Sequence, residues 1–244
     1  MAEMFNEKPI PKKYVIAGLK VLMSCGGKRL ETQAEKYECD YTGDADIVVA
    51  VDAEKVRAKQ AQNPHLTLEA CEYIMTGTVF YTKLMEYDGF MLHASAVVYE
   101  GRAYLFSAPC GTGKSTHTQN WCKVFDGAVI LNDDKPAIRI IDSQAVAYGT
   151  PWSGKSDKQL NMSVPVGAAA FIERSETNSI EKMSTKDALT GIMSQTVRPK
   201  CEQKADMFFK TVGGFLGQVP VYKLRCNMEP ESAKVAYEAM RGAK

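Results

Sequence analysis

One run of residues has the composition and spacing of a loop that binds nucleotide phosphates. A β-type stretch, 105–107, precedes glycines, then a lysine and two hydroxyls that would begin a helix. In such a loop the backbone N–H groups surround phosphate oxygens, and the positive end of the helix adds to the attraction. The residues predicted to bind nucleotide are Ala108, Pro109, Cys110, Gly111, Thr112, Gly113, Lys114, Ser115 and Thr116.

The lysine and the first hydroxyl of this run each have an expected task. Lys114 would reach the β- and γ-phosphates of ATP, and the Ser115 hydroxyl would ligate Mg²⁺. Ala108 stands where the usual pattern has its first glycine, and alanine is the mildest replacement there. A glycine loop that merely begins a helix is the alternative, which the order of strand, glycines, lysine and hydroxyl disfavours.

An acidic pair follows the helix that the loop would begin. Asp133 and Asp134 end the apolar strand 128–131, where nucleotide-binding enzymes place a carboxylate for Mg²⁺. Because neighbouring residues of a strand point to opposite faces, both reach one metal only if the strand ends there. One carboxylate could then coordinate Mg²⁺ while the other accepts a proton from an acceptor hydroxyl. A solvated acidic turn is the alternative.

Two further regions contain side chains that could act on phosphate. His93 lies on the strand predicted before the loop, and it is either a satisfied core histidine or a group near the phosphates. Residues 149–158 form a loop with glycines and lysines, which predicts a cover over the nucleotide or else a structural turn. Lys155 and Lys158 are its candidate cations for the γ-phosphate or the acceptor.

Other residues are harder to place from the sequence. Trp152 would stack on a ring or simply pack, and His117, in the first turn of the helix, is expected at the surface. Arg174 and Arg198 are further cations that the sequence does not rank. Cys110 is either an oxidisable thiol in the phosphate loop or a small filler residue.

Composition narrows the class of protein. A net charge of +1 over 244 residues gives no reason to expect nucleic acid or an anionic membrane as a partner. No segment has the continuous apolar length of a membrane span, and the N-terminus lacks the apolar core of a signal peptide. The seven cysteines show no metal-ligand spacing, so we expect reduced thiols and a cytoplasmic protein.

The elements that position these residues predict an α/β fold. Hairpins flank the phosphate loop on both sides, which favours a mixed, largely antiparallel sheet with flanking helices over an alternating parallel one. Residues 89–244 would form the catalytic core, and residues 1–88 an extension packed on it. Strands are expected over 12–24, 46–52, 90–98, 103–108, 128–131, 137–141, 145–148, 166–172 and 221–225, and helices over 67–87, 114–124, 186–196, 204–216 and 229–240.

The region 90–158 resembles the catalytic domain of HPr kinase/phosphorylase, and more distantly the nucleotide-binding core of ATP-dependent phosphoenolpyruvate carboxykinase. The motifs that carry the resemblance are 92–97, 105–116 and 129–134. It implies an ATP- and Mg²⁺-dependent kinase and assembly into a homo-oligomer. It also implies that His93 lies near the reacting phosphate, that Asp133 is the base, and that Asp134 is the partner on the metal side.

The predicted reaction is transfer of the γ-phosphoryl group of ATP to a hydroxyl. The acceptor is a protein, a peptide or a small molecule, and a serine of a protein or peptide is one candidate. A non-catalytic ATP-binding regulatory protein is the first alternative, and a carboxykinase-like enzyme acting on an organic acid is the second. The sequence does not name the acceptor.

Overall fold

The N-terminal part of the chain contributes a small sheet and three helices. The computed structural model describes residues 9–242. Strand β2 pairs antiparallel with β1 and parallel with β3 in the elements that follow. Their bounds are β1 (Lys12–Ile16), β2 (Leu19–Met23), α1 (Lys28–Ala34), β3 (Ile47–Val49), α2 (Ala53–Gln62) and α3 (Leu68–Leu84).

The strand predicted over 12–24 is a hairpin rather than one strand. Ala17 and Gly18 take positive φ angles of 54° and 73°, and this left-handed backbone reverses the chain between β1 and β2. The long helix is confirmed as α3. The Thr67 hydroxyl accepts from the Ala70 N–H at 3.1 Å, which caps its first turn.

No helix is predicted from the sequence in the polar region between β2 and β3, and the structure differs there. The region contains α1, which is short and begins after two glycines. The N–H groups of Gly26 and Gly27 both donate to the carboxylate of Glu72 in α3. A carboxylate 45 residues away in sequence therefore holds the start of this helix.

From residue 89 to residue 242 the chain forms a nine-stranded mixed sheet and four helices. The elements are β4 (Gly89–Met91), β5 (Ala94–Tyr99), β6 (Arg102–Ser107), α4 (Lys114–Val124), β7 (Val129–Asn132), β8 (Ala137–Ile141), β9 (Gln144–Tyr148), β10 (Ser163–Arg174), β11 (Ser179–Lys182), α5 (Thr185–Ser194), α6 (Glu202–Leu216), β12 (Val221–Cys226) and α7 (Glu231–Met240).

Strand order confirms the prediction of a mixed α/β fold. The strands follow the order β4-β8-β9-β10-β6-β5-β7, with β12 on β10 and β11 on β12. The long strand β10 pairs parallel with β6 and β12, whereas its first residues pair antiparallel with β9. The hairpins predicted over 90–108 and 137–148 are present as β5-β6 and β8-β9.

Alternating side chains of the central strands build a core on each face of the sheet. Ala96 and Leu105 contribute to the core beneath α5 and α6, whose Ile192 and Phe215 are fully covered. Val97 and Phe106, their neighbours in sequence, contribute to the core beneath α4 and α7. The residues between β6 and α4 thus lie where a central strand leaves the sheet for a buried helix. None of the helices within residues 9–242 is long and apolar enough to cross a membrane.

A third core joins the N-terminal elements to the central sheet. Phe80 of α3 packs there with Trp152, whose ring is fully buried and stacks on Phe80 at a centroid distance of 4.9 Å. The indole N–H of Trp152 donates to Thr76 of α3 at 3.3 Å. Of the two alternatives for Trp152, packing is therefore the one realised. The boundary at residue 88 stays a prediction.

We expect Trp152→Ala to destabilise the protein by about 3–5 kcal/mol, because the substitution empties a buried ring site and removes an anchor of the 149–158 loop. Urea unfolding followed by circular dichroism measures the loss. Phe209→Ala is the matched control, since Phe209 is 46% exposed and its truncation should cost about 1 kcal/mol or less. Equal losses in the two variants would contradict the anchoring role of Trp152.

Candidate functional site

The predicted phosphate loop connects the end of β6 to the start of α4. Gly111 and Gly113 have φ angles of 78° and 123°, which side-chain-bearing residues rarely adopt. The His117 N–H donates to the Gly113 carbonyl at 2.9 Å, which closes the first turn of α4. The N–H groups before that bond have no partner within the helix, so they are available to an anion.

Two cations hold the carbonyl groups of this loop. The ammonium of Lys114 donates to the Ala108 carbonyl at 2.7 Å and lies 3.4 Å from that of Pro109. The guanidinium of Arg174, on β10, donates to the carbonyls of Gly111 and Thr112. The carbonyls of Ala108, Gly111 and Thr112 are thereby bound to protein cations. The Thr112 N–H donates to the Pro109 carbonyl at 3.3 Å, so the N–H groups at the start of α4 are the ones that remain for a ligand.

Lys114 also faces the acidic pair. Burial lowers the pKa of its ammonium, and the charges of Asp134 and Asp133 oppose part of that shift. The structure therefore brings the loop lysine and both predicted carboxylates into one electrostatic neighbourhood. This is the juxtaposition that the sequence predicted for a phosphate site.

Asp133 is buried and directed toward hydroxyl groups. Its Oδ1 accepts from the Ser95 hydroxyl at 2.6 Å, and Ser95 lies 2.7 Å from the hydroxyl of Thr118 in α4. The Asp133 N–H donates to the Lys158 carbonyl at 3.1 Å, which ties the end of β7 to the 149–158 loop. Asp133 consequently lies between β5, the first turns of α4 and that loop.

The carboxylate of Asp134 contacts side-chain nitrogens instead. His93 Nε2 lies 3.2 Å from its Oδ1, and its Oδ2 accepts from the Lys135 ammonium and, at 3.4 Å, from the Tyr73 hydroxyl. Burial raises the pKa of Asp134, but the hydrogen bond from His93 and the charge of Lys135 outweigh it and hold the pKa at about 2. Asp134 is therefore firmly ionised and a weak proton acceptor.

His93 occupies a break between β4 and β5 and not a strand, which corrects the prediction of its setting. Its N–H donates to the Gln195 carbonyl at 2.7 Å, and its ring Nδ1 lies 3.0 Å from Gln195 Oε1. Both ring nitrogens are thus engaged, one with Gln195 and the other with Asp134. The break frees His93 from the ladder and lets its ring reach the acidic pair.

Several residues of this cluster were not found from the sequence. Lys135 follows the acidic pair directly, so its position was a usable signal. No signal in the sequence indicated Tyr73 or Gln195. Tyr73 comes from α3, 61 residues before Asp134, and Gln195 comes from the end of α5, 61 residues after it. Only the tertiary fold brings them to the carboxylates.

Other predicted residues lie elsewhere or differ in setting. Lys155 is exposed and lines a surface pocket with Arg29, a residue of α1. His117 is buried, which makes its predicted surface position wrong. Its Nε2 accepts from the Trp121 indole, its Nδ1 lies 3.2 Å from the Ser232 hydroxyl, and burial lowers its pKa to about 3. Cys110 is exposed within the loop.

Within residues 9–242 the metal-ligating side chains do not form a dense cluster. No group of three or more His, Cys, Asp or Glu side chains within residues 9–242 is arranged to hold an ion. Ser115 is half-buried in the first turn of α4.

Comparison with known proteins places the chain in a family. The model of the SynChlorMet cassette protein ScmC matches residues 59–232, which include the loop, the acidic pair and His93. The chain belongs to the ScmC family. No curated protein matches this ScmC-family sequence.

The ScmC-family chain is also distantly similar to a solved structure, that of the Hpr(Ser) kinase/phosphatase from Coxiella burnetii. Sequence identity is 11% and the TM-score is 0.37, over 61% of this chain and 95% of that one. A similarity at this level carries no argument about function.

The low pKa of Asp134 predicts a pH-dependent contribution to stability. The carboxylate is stabilised in the folded state, so the contribution is complete above about pH 4 and is lost as the pH falls toward about 2. Relative to Asp134→Asn, the ScmC-family protein should lose about 2 kcal/mol of unfolding free energy across this window. Urea unfolding at a series of pH values measures it.

Lys135→Met provides the control for this measurement, because it keeps the carboxylate and removes a neighbouring positive charge. Its stability should fall at a higher pH than that of the unaltered protein. An identical pH profile for the two would show that Lys135 does not hold the Asp134 charge.

Proposed function

We propose that this protein is an ATP- and Mg²⁺-dependent kinase that transfers the γ-phosphoryl group to a hydroxyl. The observation that carries the proposal is the placement of Lys114, at the start of a helix after a glycine loop, beside two adjacent carboxylates at the end of β7. A phosphoryl transferase needs a phosphate cradle, a metal site, a proton acceptor and cations on the transferring group. Each of the four has a residue in this cluster.

The phosphates of ATP would be bound by backbone N–H groups of the loop and of the first residues of α4. Pro109 has no N–H, and the Thr112 N–H donates to the Pro109 carbonyl at 3.3 Å. Lys114 already lies at the loop, held by the Ala108 carbonyl. A bound phosphate offers its ammonium a charged acceptor in place of a neutral one, which is the stronger hydrogen bond. Arg174 would keep the loop carbonyls turned away from the anion.

The residues present fit a nucleotide-bound Mg²⁺. Ser115 is the protein oxygen that would hold it, and the phosphates and water would supply the others. When bound, the ion would neutralise charge that develops on the phosphates. Both oxygens of Asp134 already accept hydrogen bonds, so we assign Asp134 to positioning and not to direct coordination, a change from the role that the sequence resemblance implied.

Asp133 is our assignment for the general base. Asp134 is a poor choice for this role, because its partners hold its pKa at about 2, whereas Asp133 contacts a hydroxyl. Asp133 would accept the proton of the acceptor hydroxyl while the hydroxyl oxygen forms a bond to the γ-phosphorus. The bond from the γ-phosphorus to the bridging oxygen then breaks, and ADP leaves with that electron pair.

Lys135 would supply positive charge, and His93 a ring N–H, near the transferring group. Both contact Asp134, which fixes their direction. A cation held in place before the reaction stabilises developing charge without reorganising. Asp134 therefore acts through its two partners.

Nucleotide binding is the first test. Lys114→Met should weaken binding of a non-hydrolysable ATP analogue with Mg²⁺ by about 10- to 100-fold, because the charged contact to phosphate is lost. Calorimetry measures the affinity. Lys123→Met, an exposed lysine at the other end of α4, is the matched control and should bind as the unaltered protein does. Unchanged affinity in Lys114→Met would contradict the phosphate site.

Phosphoryl transfer is the second test. Asp133→Asn should retain the ATP analogue yet transfer label from γ-labelled ATP to a panel of hydroxyl compounds about 10²- to 10⁴-fold more slowly. Asp126→Asn, an exposed aspartate just after α4, is the control. Full activity in Asp133→Asn would exclude it as the base. Tight nucleotide binding without transfer to any acceptor would instead support a regulatory ATP-binding protein.

A further inference from the structure

A second polar pocket adjoins the acidic cluster and has no part in binding the nucleotide. It has a volume of about 510 Å³ and lies between α1, the start of α3 and the tip of the 149–158 loop. It is connected to the cluster through Tyr73. The Gly154 N–H, at the pocket, donates to the Tyr73 hydroxyl at 2.8 Å, and that hydroxyl contacts Asp134. The charged and amide side chains of the pocket are Lys28, Arg29, Gln33, Glu69, Lys155 and Asp157.

The pocket contains charged side chains of both signs, and they do not form ion pairs with one another within the described residues. Lys28, Arg29 and Lys155 are positive, and Glu69 and Asp157 are negative. Within residues 9–242 none of the five forms an ion pair. Unpaired charges of both signs around one pocket match a ligand that itself carries both signs.

Arg29 is the best-held cation of the pocket. Its guanidinium lies 4.2 Å from the centroid of the Tyr73 ring and donates to the Gly154 carbonyl at 2.8 Å. These contacts use one nitrogen and one face of the group. The remaining N–H donors of a planar guanidinium suit a carboxylate.

Gln33 forms part of the wall of this pocket. Its side chain is 3% exposed, and its Nε2 lies 3.2 Å from both the Ser153 hydroxyl and the Gly154 carbonyl. Because a carbonyl can only accept, the amide orientation is fixed and Oε1 is the other atom. Oε1 has no hydrogen-bond partner within the described part of the chain, which is rare for a buried acceptor.

We infer that this pocket binds the α-amino acid group of the phosphoryl acceptor. The carboxylate would face Arg29, with Lys28 and Lys155 beside it. The ammonium would face Asp157 and Glu69. The inference rests on the proposed function, and it narrows the acceptor to a free amino acid with a hydroxyl side chain. It also assigns Lys155 to binding the acceptor and not the γ-phosphate.

Calorimetry with L-serine, L-threonine and L-homoserine tests this inference without requiring turnover. Each is titrated into the protein alone and into the protein with Mg²⁺ and a non-hydrolysable ATP analogue. We expect at least one of the three to bind in one of these states. L-Serinamide, which lacks the carboxylate, and N-acetyl-L-serine, which lacks the ammonium, should bind at least about tenfold more weakly.

Two exposed lysines provide the variants. Lys28→Ala and Lys155→Ala should each weaken amino acid binding about threefold, as expected for exposed charges. Lys36→Ala is the matched control, because Lys36 is an exposed lysine that follows α1 and lies outside this pocket. Its affinity should equal that of the unaltered protein.

Three results would overturn the inference. They are failure of all three amino acids to bind in either state, equal binding of the blocked serines, and unchanged affinity in both lysine variants. Tighter binding of an acetylated and amidated serine tripeptide than of any free amino acid would also overturn it, in favour of a peptide acceptor. Loss of the kinase proposal is seen separately, since the Lys114→Met measurement uses the nucleotide alone.

Discussion

Two neighbouring carboxylates at the end of a buried strand are the constraint around which this site is built. Burying a charge is costly unless it is paired and hydrogen-bonded, and two adjacent charges of one sign also repel. The two carboxylates satisfy this constraint with different partners. Asp133 accepts from the Ser95 hydroxyl, whereas Asp134 contacts His93 and Lys135. Because their partners differ, the two carboxylates are available for different chemical uses.

The same constraint explains why β4 and β5 are two strands. A continuous strand would keep His93 in the ladder, whereas the break lets its ring nitrogen reach Asp134. The backbone groups freed by the break are satisfied: the Ala94 N–H donates to the Asp134 carbonyl, and the Thr196 hydroxyl donates to the Met91 carbonyl at 2.6 Å. The residues after α5 are thus required to hold the break, which ties a distant helix to the acidic pair.

Local patterns predicted the parts of this structure that local interactions determine. The hairpins, α3 and α4 follow from alternation, helical periodicity and glycine position, and each is present. The short helix α1 was missed because Glu72, far along the chain, caps its start. His117 was misplaced because α7 covers it through Ser232. The loop, the lysine and the acidic pair were grouped into one predicted site from the sequence. Tyr73 and Gln195 could not be added to it, since only packing brings them there.

The origin of the side chains divides the site into two halves. The half that we propose for the nucleotide, with Lys114, Asp133 and His93, comes from the central sheet and α4. The other half comes from the N-terminal elements, since Tyr73 contacts Asp134 and Arg29 packs on Tyr73. A cradle for phosphate can be shared among proteins with different acceptors, because the phosphates are the same in each. In our proposal the acceptor is therefore selected by the part of the chain outside the phosphate cradle. That part is N-terminal, and its core with Trp152 fixes the base of the 149–158 loop against α3.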